Sequence, residues 1–124
     1  MLAVWILVVV AVLASWLTWL GATDRMTRNG LVGIRTPATQ RSDAAWITGH
    51  RAALKVVLPG AALVTVLAVV GSVVRPDGAT DVVFFVVAGV LLTEGVAAAV
   101  VAEVAARGVD GGRGDERADQ WDVD

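Results

Sequence analysis

The chain has 124 residues, of which 56% are hydrophobic, with a formal net charge of −2 and a mean hydropathy of +0.71. A soluble domain carries about 45–50% apolar residues even with Gly counted, so this composition, gathered into blocks, excludes an ordinary soluble core and admits one domain. The absence of cysteine excludes disulfide frameworks and thiolate metal sites.

Residues 1–20 contain no charged side chain. That is about the ~20 residues that a helix rising ~1.5 Å per residue needs to cross ~30 Å of hydrocarbon. A cleaved signal peptide is the rival reading, but it would need a basic leading region and a shorter apolar core. A basic loop follows over 21–55. Residues 56–74 form a second apolar run, closed by a turn at Pro76 and Gly78. Residues 82–106 form a third, interrupted by Glu94 and Glu103. Together, 1–106 read as a membrane domain. The acidic stretch 107–124, with Gly111-Gly112, is expected to be a disordered tail.

Valine is abundant in these runs and favours strands in water. In lipid an isolated strand leaves its backbone groups unpaired, and three segments cannot close a barrel, so helices are expected. The expected fold is an all-α membrane protein with three transmembrane helices.

The net charge hides an asymmetry. Residues 22–55 hold six Lys/Arg against two Asp, whereas 107–124 hold three Arg against six Asp/Glu. Lys and Arg in short loops set orientation. The 21–55 loop is therefore expected to be cytoplasmic, with the N-terminus outside and the C-terminus cytoplasmic. Trp16 and Trp19 would lie near the inner interface and Trp5 near the outer one. The implied location is the bacterial plasma membrane, with the lipid bilayer as first partner.

Within the loop, Asn29-Gly30 and Gly33 permit positive φ and tight reversal. Pro37 fixes its own φ and pushes Thr36 toward extended structure. Residues 29–39 should thus be a shaped loop. Ser42 is a good N-cap, with Asp43 favourable in the first turn. A helix starting there would merge with the second span, weakened at Gly49 and kinked at Pro59. Trp46 and His50 share a face of that helix, and Asp43 joins them. Beside Arg35, Arg41 and Arg51, such a cluster suits an anion, a lipid headgroup or a peptide. The plainer alternative is an interfacial helix with a solvated His50. A metal site lacks ligands, and nucleic-acid binding lacks stacking aromatics.

Asn29, the run Gly33-Ile34-Arg35-Thr36-Pro37, then Asp43, Trp46 and His50-Arg51 resemble the signature of the SdpI family of small bacterial integral membrane proteins. Ala38 and Gly49 depart from that family's usual residues. The chain resembles the C-terminal half of larger members. The resemblance implies immunity to, or sensing of, a secreted antimicrobial peptide, with a peptide toxin or a cytoplasmic regulator as partner. These ten motif residues would form the partner-binding surface, with Arg35, Trp46, His50 and Arg51 its main contacts.

Glu94 lies midway along the third run, where an acid costs roughly 2.5–3.5 kcal/mol to insert. It is expected to be protonated and bonded to Thr65, at the midpoint of the second run, to a backbone carbonyl or to a second copy. Glu103 faces the other side and reads as a paired interfacial acid. Rows of small residues, Gly89-Thr93-Ala97 and Gly95-Ala99, suit close packing or a homo-oligomer. The alternative functions are a small oligomeric transporter or channel subunit using Glu94, and an accessory subunit of a membrane complex. No set of residues points to enzymatic chemistry or to a cofactor.

Overall fold

A computed structural model describes the backbone of residues 1–74 and 80–118, and side chains over 1–74 and 81–109. The described residues form three helices, α1 (Leu2–Ala22), α2 (Asp43–Val74) and α3 (Thr80–Ala118), and no strand. All three are long and apolar enough to cross a membrane. The valines therefore sit in helices, as the demand for internally paired backbone in lipid requires.

The central helix is α2, which packs extensively on both neighbours, while α1 and α3 touch far less. The buried positions are mostly small. In α1 they are Val4, Val8, Ala11, Ser15 and Thr18, spaced three or four apart. In α2 they include Ala53, Val57, Ala61, Val64 and Ala68. In α3 the corresponding stripe is Val87, Glu94, Ala98, Ala102 and Ala106. Small side chains let backbones approach, which is how helices gain dispersion contacts when lipid supplies no hydrophobic drive. Gly71 shows this: a Cβ there would stand 2.7 Å from Cγ1 of Val83. The larger residues, such as Val12, Leu13, Leu63, Val66, Leu92 and Val104, face outward.

Hydroxyls inside the spans are satisfied within their own helix. Thr65 donates to the Ala61 carbonyl at 2.8 Å, and Ser72 and Thr93 do the same one turn back on Ala68 and Gly89. Ser15 shares its proton between the carbonyls of Ala11 (2.9 Å) and Val57 (3.3 Å), which ties α1 to α2.

The second helix begins at Asp43 as expected, with the Ser42 hydroxyl accepting the Ala45 N–H at 3.1 Å as an N-cap. It runs unbroken through Gly49 and Pro59, because packing on both flanks outweighs one lost backbone bond. Helix α3 does not stop at residue 106 but continues to Ala118. Where a disordered tail was expected, 107–118 is helical. Extending an existing helix avoids the cost of nucleation, and the Arg107–Glu103 pair, at 2.7 Å and four residues apart, supports the step. The Pro76 turn and residues 119–124 lie outside the described residues. The row Gly89-Thr93 is on the surface: Gly89 and Thr93 are exposed, and a Cβ at Gly89 or Gly95 would meet nothing.

The crowding at Gly71 is testable. Gly71→Ile should lower stability by about 1–3 kcal/mol through overpacking against Val83. Detergent-titrated unfolding followed by circular dichroism reads this, and an unchanged midpoint would contradict the packing.

Candidate functional site

Residues 23–42 fold back over one end of the helices as a cap. The reversal begins as α1 ends. Asp24 takes a left-handed conformation (φ 58°), and the N–H groups of Arg25 and Met26 bond back to the Leu20 carbonyl. The next turn is built on a side chain: Asn29 Oδ1 accepts the N–H groups of Leu31 (2.9 Å) and Val32 (2.8 Å), while its amide donates to the Thr27 carbonyl. Gly30 was expected to supply positive φ, but among the described glycines only Gly33 does so, at φ +99°. Gly33 also lies against two rings, since a Cβ would stand 2.8 Å from Trp46 Cη2 and 2.9 Å from His50 Nε2.

His50 is the centre of the cap. It is fully buried, and Trp46 is 1% exposed. Their rings lie 4.1 Å apart between centroids. The Ile34 N–H donates to Nε2 at 3.1 Å, and Nδ1 lies 2.8 Å from the Trp46 carbonyl. An N–H donates only to a bare nitrogen, and a carbonyl accepts only from a protonated one. The ring is therefore neutral, with its proton on Nδ1. Behind it is Gly21, where a Cβ would stand 2.5 Å from Cδ2 of the imidazole.

Further bonds join the cap to all three helices. Trp46 Nε1 donates to the Met26 carbonyl at 3.1 Å, and Arg51 Nε to the Ala22 carbonyl at 3.0 Å, capping α1. Thr39, fully buried, accepts the Thr36 N–H and donates to the Ile34 carbonyl, each at 2.9 Å. Its methyl fills the space over Gly49, where a Cβ would stand 2.6 Å away. From α3, Glu103 Oε2 accepts the Ala38 N–H at 2.9 Å, and its other oxygen holds Arg107. Ile34 packs onto the cluster of Ala53, Val57, Ala98 and Ala102.

The motif residues thus divide. Asn29, Gly33, Ile34, Trp46 and His50 build the cap, with Thr36 half-buried among them. The solvated, interfacial His50 is overturned by its burial and by partners on both ring nitrogens. Asp43 does not join the indole and imidazole; it is exposed and pairs with Arg28 at 3.3 Å. Arg28 also donates to the Gln40 carbonyl. Arg35 and Pro37 face outward, as do Leu31 (89% exposed) and Val32. Arg51 is exposed, with its Nε on α1.

Glu94 and Thr65 lie apart from the cap and from each other. Glu94 packs against Gly60, where any Cβ would overlap its carboxyl. The expected Glu94–Thr65 bond is absent: Thr65 donates to its own helix and lines the α1 side of α2 with Val12 and Ser15. Sequence reasoning missed Thr39 and Gly21. A threonine two residues after a proline, and a glycine closing a span, were the available signals.

His50→Ala should cost about 2–4 kcal/mol, since it leaves the Ile34 N–H unpaired and a void beside Trp46. Arg35→Ala should stay within about 0.5 kcal/mol. Hydrogen exchange across 29–39 should rise only in the first variant; equal exchange in both would contradict a cap held by the imidazole.

No curated protein and no solved structure matches the chain. The model of the SdpI/YfhL protein family matches residues 25–102. That match takes in all but the first two residues of the cap, all of α2 and most of α3. The chain therefore belongs to the SdpI/YfhL family, as a multi-pass membrane protein.

Proposed function

We propose that this protein protects its cell against a secreted antimicrobial peptide, or senses one, through the cap over 23–42. Family membership supports the class of function. The observation that carries the reading is that the cap is rigidly built from within yet presents an apolar and cationic edge outward. Leu31, Val32 and Arg35 project from it. A monomeric soluble loop gains nothing from exposing Leu31, whereas a surface that meets a peptide or a regulator does. The excess of Lys and Arg in and beside the cap supports a cytoplasmic position for this edge, and family membership supports the bacterial plasma membrane.

The proposed contacts differ from those expected from sequence. Trp46 and His50 lie behind the backbone of residues 26–34, so a partner meets Leu31, Arg35 and the outer side of Arg51. His50 acts by shaping that edge.

Survival under a secreted, membrane-active peptide tests this. Cells expressing the wild type should survive, and Leu31→Asp/Arg35→Glu should lose protection at matched membrane levels and unchanged thermal stability. Equal protection by that double variant would move the contact off the cap, and no protection by the wild type against a panel of such peptides would overturn the reading.

A further inference from the structure

Between α2 and α3 a groove of about 570 Å³ opens toward the lipid, lined by residues that include Val56, Gly60, Leu63, Phe85, Val90 and Glu94. Glu94 is 8% exposed, and its Oε2 is buried with no hydrogen-bond partner among the described residues. The other polar side chain of the groove, Thr93, gives its proton to the Gly89 carbonyl. A carboxylate at this depth lacks a counter-charge, and a neutral carboxyl leaves a polar atom unmatched; each is costly in a medium without water. The cation of α2 next along the chain, Lys55, is five residues before Gly60, about 7.5 Å along the axis at ~1.5 Å per residue. No ion pair joins it to Glu94.

The surroundings of the carboxyl are built for it. Gly60 supplies the room, and Leu63 and Phe85, both exposed, line the same groove. A groove of this size lies in the range of about 300–1,000 Å³ that takes small organic molecules. We propose that this groove binds a lipophilic amine from the bilayer, its ammonium beside the Glu94 carboxyl and its apolar body along Leu63, Phe85 and Val90. The site is distinct from the cap, and the proposal stands independently of the peptide-protection reading.

The test uses the full chain in lipid nanodiscs and tritiated imipramine, a protonated tertiary amine with an aromatic body. The wild type should bind it saturably at one site per chain. Glu94→Gln keeps the shape and removes the charge, and should weaken binding about tenfold or more. Val90→Trp should block the groove with Glu94 intact, and both variants should keep the wild-type helix signal and melting point. If Glu94→Gln fails to fold, Val90→Trp carries the comparison. Absence of saturable binding, or binding unchanged in either folded variant, overturns the proposal. So does Thr93→Cys forming an intermolecular disulfide that imipramine does not diminish, because the groove would then belong to a second copy.

Discussion

The imidazole of His50 takes a backbone N–H on one nitrogen and gives its proton to a helix carbonyl on the other. That pair of bonds decides the shape of residues 26–40. Ile34 is held at Nε2, so Gly33 must pass directly over the rings, and only a glycine at positive φ fits there. The ring in turn needs a flat floor, which Gly21 supplies from α1. A buried imidazole with both nitrogens matched costs little, whereas one with an orphaned nitrogen or a proton too many would cost several times a typical net hydrogen bond. The cap and the helix ends therefore stand or fall together.

The two acids of α3 show how depth changes the meaning of a residue. Glu103 is level with the cap and does structural work, receiving the Ala38 N–H and the Arg107 guanidinium. Nine residues earlier, Glu94 sits in the same helix with an unmatched oxygen and an open groove beside it. Among the described residues, the hydroxyls of the spans give their protons to helix carbonyls, Thr65, Ser72 and Thr93 within their own helix and Ser15 also across to α2. Against that background the unmatched carboxyl oxygen stands out among the buried polar atoms of the described residues, which is why it reads as a site.

Much of this was legible in the chain. Three helices followed from the length of the apolar runs and from the impossibility of an open sheet in lipid. The start of α2 followed from Ser42 and Asp43. The importance of residues 29–51 followed from their motif, but their role was misjudged. Helical spacing put Asp43, Trp46 and His50 on one face, yet spacing is blind to what covers that face. The covering comes from Gly33 and Ile34, folded back by an Asn29 turn and locked by Thr39, and these long-range contacts leave no periodic trace. The end of α3 was missed for a related reason: composition marks 107–118 as polar, but continuity with a preformed helix decides its backbone.

The most direct test of the central claim is the tautomer of His50. It is the only histidine, so nitrogen-15 resonances of the labelled imidazole in lipid bilayers are unambiguous. The account predicts a protonated Nδ1 and a bare Nε2 coupled to the Ile34 amide. A proton on Nε2, or a doubly protonated ring at neutral pH, would contradict it, because neither can accept the bond on which the cap is built.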